Sequence, residues 1–140
     1  MDIHECLERG LLKTDIPDGK KAARSLAVAR LRLIKASKLA TAGFSDDAIV
    51  NAYAAMFHAG RALLFRDGFR EKSHYGLYVY IGERYRDKLE PRFISELDSL
   101  RLERHEIMYS LDTIGVSQDE SKHVITVAKD FVVAVEKILK

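Results

Sequence analysis

The chain has 140 residues, 47% hydrophobic and 31% charged, with a formal net charge of +2. That length supports one domain with a real core, and that balance argues against a disordered chain, which would have less to bury, and against a membrane protein, which would carry fewer charges. A net charge so near zero excludes holding nucleic acid through a strong overall positive field, so any such contact must come from a local patch.

Cys6 stands alone, which rules out an internal disulfide and argues against a thiolate metal cluster, and nothing asks for an oxidising compartment. Met1-Asp2-Ile3-His4-Glu5 carries acidic groups where a secretory signal needs basic ones, and no uninterrupted apolar run approaches the roughly eighteen residues of a membrane span. The expectation is a cytoplasmic chain with no membrane segment, built as a single domain over residues 1–140.

Residues 2–12 read as a short first helix, broken by the turn formers of Thr14-Asp15-Ile16-Pro17-Asp18-Gly19. Over 20–41 the apolar positions Ala22, Leu26, Ala29, Leu33, Ala36 and Ala40 recur at three- and four-residue steps and so share a helix face, with Arg24, Lys35 and Lys38 on the wet side. Gly43 suits a left-handed cap, and Ser45 is placed to accept from free amides of the next helix, whose first turn carries Asp46 and Asp47. That helix, 46–66, is apolar around nearly its whole circumference and reads as the central element. Its small residues Ala52, Ala54, Ala55, Ala59, Gly60 and Ala62 let neighbours approach closely.

Leu77, Tyr78, Ile81, Tyr85 and Leu89 fit a fourth helix over 73–89, although Leu77, Val79 and Ile81 also alternate like a strand. Pro91 suits a first helical turn, and Phe93, Leu97, Leu100, Ile107 and Leu111 mark the buried seam of a fifth helix. After a turn at 112–116, Ser117 with Glu120 matches a capping box, and Val124, Val127, Ala128, Phe131, Val135 and Ile138 trace the last helical stripe. The expected fold is all-α, an up-and-down bundle of five to six helices.

Arg104 falls within the seam of the fifth helix, on the face meant for burial. A guanidinium cannot shed its charge, so it must meet a carboxylate in an internal ion pair, or else an anionic ligand or an interface. His58 and Arg61 interrupt the central helix three residues apart and so are surface neighbours. They can contact a phosphate or base together, or His58 can be a core histidine beside a snorkelling Arg61. Ser73 can cap the fourth helix, with His74 beside amides able to hold an anion. Arg101, Arg104 and His105 form a local cluster suited to phosphate, partly neutralised by Glu103 and Glu106. No glycine-rich phosphate loop or dinucleotide fingerprint occurs. His105-Glu106 begins like a zinc-protease helix, but Tyr109 stands where the second histidine belongs, so neither a metal nor another cofactor is expected.

The run Ala52-Tyr53-Ala54-Ala55-Met56-Phe57-His58-Ala59-Gly60-Arg61-Ala62-Leu63-Leu64, then Lys72-Ser73-His74, resembles the prokaryotic HEPN domain family, as does the preceding helix junction Ala42-Gly43-Phe44-Ser45-Asp46-Asp47-Ala48. With the later arginine-rich helix, the resemblance covers nearly the whole chain from about residue 20. It implies an HEPN-like helical bundle that pairs into a homodimer, often encoded beside a minimal nucleotidyltransferase with which it forms a toxin-antitoxin or nucleotide-handling pair. Some members are metal-independent ribonucleases, which use an arginine, a polar residue and a histidine after four to six intervening positions.

Here Arg104-His105 resembles the first half of that motif, but Tyr109, Ser110 and Leu111 occupy the places for the histidine. A tyrosine with pKa near 10 is a poor base at neutral pH, so the motif is degenerate and the reading leans away from an enzyme. The leading expectation is a dimeric binding module whose groove, lined by His58, Arg61, His74, Arg101, Arg104, His105 and Tyr109, receives a nucleotide, RNA or a partner protein. The first alternative is a ribonuclease using Arg104, His105 and Tyr109, and the second a purely structural helical scaffold.

Overall fold

Asp2 and Asp18 accept from the backbone amides of Glu5 and Lys21 and so start the first two helices of the computed structural model, which describes residues 1–140. The elements run α1 (Ile3–Glu8), β1 (Leu12–Thr14), α2 (Gly19–Thr41), α3 (Ser45–Asp67), β2 (Phe69–Glu71), α4 (His74–Arg84), α5 (Pro91–Tyr109) and α6 (Gln118–Leu139). The all-α bundle stands, with six helices.

α3 is the spine, and α2, α4, α5 and α6 all pack against it. Ser25 Oγ donates to the His58 carbonyl at 2.7 Å and Arg32 Nη1 to Asn51 Oδ1 at 3.1 Å, so α2 and α3 run antiparallel, rising residue numbers on one facing falling numbers on the other. One continuous core draws on every helix, with Ile49, Met56, Leu63, Leu77, Leu97 and Phe131 fully enclosed. α3 is long and apolar enough to cross a membrane by composition, but 67% of its apolar stretch is buried inside the bundle, and the core accounts for that character.

The ribbon of β1 and β2, paired antiparallel with Leu12 opposite Glu71 and Thr14 opposite Phe69, is a departure from the sequence reading. Three-residue strands are too short to show a period. α1 consequently stops at Glu8. The chain leaves α3 through Gly68, whose φ of +88° lies in the left-handed region, and a Cβ there would sit 3.1 Å from the Asp15 carbonyl.

Gly76 is more tightly constrained, because a Cβ on it would lie 2.2 Å from the Leu11 carbonyl oxygen. That contact fixes the first turn of α4 against the ribbon, and the Lys72 amide bonds the same carbonyl at 3.0 Å. Ser73 caps α4 by accepting from the Gly76 amide at 2.9 Å, and His74 is thereby held at the helix start.

Three further expectations are corrected. Ser45 is not a side-chain cap: Phe44 occupies the cap position without a side-chain bond, and Ser45 is a buried first residue of α3. α4 ends at Arg84 rather than 89, since the Tyr85 backbone leaves helical geometry at φ −117° and ψ 16°; its hydroxyl donates to Asp67, which also accepts from Tyr80. Leu111 is no seam residue, since α5 ends at Tyr109 and Leu111 lies fully exposed beyond it.

Candidate functional site

α2 and α5 leave a strip of α3 uncovered between them, and there Val50, Ala54 and Phe57 floor a cavity of about 300 Å³. α2 contributes Arg32, the first turn of α4 contributes His74, and α5 contributes Arg104 and Met108. Asn51, Tyr53 and His58 complete the wall, and no carboxylate lines it.

His74 is fixed on two sides. The Tyr53 hydroxyl is 2.8 Å from its Nδ1, and its ring lies 4.3 Å from the Phe57 ring, centroid to centroid. Burial, then Arg104 and Arg101, hold its pKa below the ordinary histidine value, so it is neutral at pH 7. Burial, then Arg61 and Arg32, push His58 down to about 4. Burial raises Tyr53, which keeps its proton.

Arg104 is half-buried and forms neither an ion pair nor a side-chain hydrogen bond within the chain, so the internal ion pair weighed above is absent. Two guanidiniums, two neutral imidazoles and an aromatic wall can together offer donors to a phosphate and a stacking face to a base.

The structure divides the residues singled out from the sequence. It brings His58, His74 and Arg104 to one cavity. Arg61 lines a neighbouring cavity with His58, its Nε 2.8 Å from Glu71 Oε1. Arg101 pairs with Asp98 at 2.8 Å and lies over the Tyr75 ring. His105 and Tyr109 are exposed, their rings 4.8 Å apart, and neither lines the cavity. Helical geometry explains this last correction: positions 101, 104 and 108 share a face, whereas 105 and 109 are rotated by about 100° from 104 and 108.

Arg32, Asn51, Tyr53, Phe57 and Met108 were missed. The Tyr53–Phe57 pair, four residues apart on one helix, was the available signal. Two larger clefts beside α4 share Tyr78, Gly82, Arg86 and Ile94, but their charges are mixed: Asp98 is taken by Arg101, and Glu83 accepts the Ile3 amide at 2.7 Å. Neither presents the excess of cations seen at Arg104.

The family model described as HEPN domain matches residues 22–138. A protein of Methanocaldococcus jannaschii named "Putative toxin MJ0605" is 29% identical over 138 residues, covering 94% of this chain and 97% of its own length.

Proposed function

The chain belongs to the HEPN domain family, and from that premise we propose that it is a dimeric binding module receiving a nucleotide or RNA phosphate in the Arg104 cavity, as partner of a minimal nucleotidyltransferase in a toxin-antitoxin-like pair. One observation carries the reading: Arg104 sits without a carboxylate in a cavity walled by Phe57 and the neutral ring of His74. A fixed cation beside aromatic faces suits a phosphate joined to a base. The toxin name of the archaeal relative supports the toxin-like role.

Support for a second copy comes from exposed apolar side chains, Met108 at the cavity and Leu31 and Ile34 on the outer surface of α2. Titrating ATP, GTP and short RNA at several salt concentrations against the wild type and Arg104→Ala tests the binding role. The reading expects saturable binding that the substitution removes. No saturable binding to any of the three contradicts it and leaves the scaffold reading. Light scattering tests the pairing, and a strict monomer at micromolar concentrations contradicts it.

The ribonuclease reading is favoured by one observation, that Arg104 and His74 line the same cavity although α5 lacks its own histidine. The His74 imidazole would take the proton of a ribose 2′-hydroxyl as its oxygen attacks the adjacent phosphorus; the bond from phosphorus to the 5′-oxygen breaks, leaving a 2′,3′-cyclic phosphate and a 5′-hydroxyl that takes its proton from water, with Arg104 holding the phosphate oxygens. Cleavage of mixed cellular RNA that disappears in both His74→Ala and Arg104→Ala would establish it. Intact RNA with the wild type rejects it.

A further inference from the structure

On the far side of His58 from Arg104, a second cavity of about 240 Å³ opens along the same seam of α2 and α3. Lys21, Arg24, Ser25 and Val28 line it from α2, and His58, Arg61 and Phe65 from α3. On α2 the positions 21, 25, 28 and 32 follow one helical stripe from this cavity into the first, and on α3 the positions 65, 61, 58 and 54 do the same in the opposite direction. The two cavities are therefore successive parts of one groove, with His58 forming a wall of both. At 1.5 Å per residue, the stretch from Lys21 to Arg32 spans about 16 Å, longer than one nucleoside monophosphate.

The charge distribution along this groove is one-sided. Lys21, Arg24 and Arg61 line the second cavity, Arg32 and Arg104 the first, and neither has an acidic lining residue. Lys21 and Arg24 form no ion pair. Arg61 is offset by Glu71, which lies outside this lining. Lys21 Nζ and the Arg61 guanidinium both sit over the Phe65 ring, 4.8 Å and 5.0 Å from its centroid, so one aromatic ring holds two like charges at a shared cavity. A chain with 21 acidic residues has gathered five cations along one seam without placing a carboxylate in either lining. Four of the five, Lys21, Arg24, Arg32 and Arg104, have no carboxylate partner, a distribution that suits a repeated anion.

We propose that Lys21, Arg24 and Arg61 form a second phosphate subsite, and that the ligand of the groove is a single-stranded oligonucleotide whose successive phosphates occupy both cavities. The proposal rests on the reading of the Arg104 cavity as a nucleotide site. It makes the second cavity a backbone contact that a lone nucleotide does not reach.

The test compares adenosine monophosphate with an oligoadenylate RNA hexamer by calorimetric titration, on the wild type and on a Lys21→Gln, Arg24→Gln double variant. The glutamines keep polar side chains in place while removing both charges, at half-buried Lys21 and exposed Arg24. The hexamer is expected to bind at least about tenfold more tightly than the monophosphate, since each charge-assisted contact is worth about one factor of ten. The double variant is expected to lower hexamer affinity by about tenfold or more and leave the monophosphate within twofold. Its plot of log affinity against log salt should flatten by about 1.4, corresponding to two fewer phosphates neutralised on a single strand. Equal affinity for the two ligands, or equal losses in the double variant, overturns the second subsite while Arg104-dependent monophosphate binding upholds the first. Absence of binding by both ligands overturns the two together.

Discussion

The hydroxyl of Tyr53 and Nδ1 of His74 lie 2.8 Å apart, joining the middle of α3 to the first residue of α4. With Tyr53 as donor, the ring proton of His74 resides on Nε2, which is then a donor. With the roles reversed, Nε2 is an acceptor. In both cases Nδ1 is committed and only Nε2 remains to meet a ligand. Because burial keeps Tyr53 protonated, the contact persists through neutral pH.

Replacing Tyr53 by Phe keeps the ring and strands Nδ1 in a half-buried place. The expected cost is about 1 kcal/mol, the worth of one hydrogen bond, read as a lower urea midpoint with unchanged slope. A variant as stable as the wild type would show that His74 is held by Phe57 and its helix cap alone.

Stability should fall with acid in a window set by His58. Its folded pKa of about 4 lies below the value of about 6.5 expected when unfolded, so between these the unfolded chain binds more protons. Its contribution is therefore present above about pH 6.5 and is lost as pH falls toward 4, and His74, shifted the same way, adds to it. Urea midpoints across this range should drop more steeply for the wild type than for His58→Gln. Parallel curves would mean that His58 titrates as a solvated histidine.

Arg104 bears no structural ion pair. Arg104→Leu should consequently change unfolding free energy by less than about 0.5 kcal/mol, as substitutions away from a named packing or pairing role do. A loss of several kcal/mol would reveal a buried carboxylate partner instead.

Gly76→Ala should be costly, because the added methyl would lie 2.2 Å from a backbone carbonyl that cannot move without shifting the ribbon. Overpacking of this kind costs about 1–3 kcal/mol, measurable by thermal or urea unfolding. Gly60→Ala meets only the flexible Leu77 side chain, at 3.1 Å, and should cost less.

The helices were legible because their signals are local and repeated: the stripe of α6, the Ser117 cap and the Pro91 start all depend on near neighbours in the chain. The ribbon was not, because Leu12 and Glu71 gain their pairing from residues far apart in sequence. At the site, a guanidinium among Leu97, Leu100 and Ile107 marks Arg104 in the sequence, since burial and charge conflict at a single position, and the structure places it half-buried at the cavity. His105 and Tyr109 were grouped with it by sequence proximity, and the 100° step of the helix separates them. Arg32 and Tyr53 reach the cavity only through the packing of α2 and α4 on α3, which no spacing along the chain records.

The central claim is that phosphate and base are held where His58, His74 and Arg104 converge. The five histidines provide a direct reading of it, by following their imidazole NMR signals while adenosine monophosphate is added. His58 and His74 should shift together along one saturable curve, while exposed His4, paired with Glu8, and exposed His123 stay put. Shifts confined to His4 or His123, or no saturable shift at His58 and His74, would contradict the account.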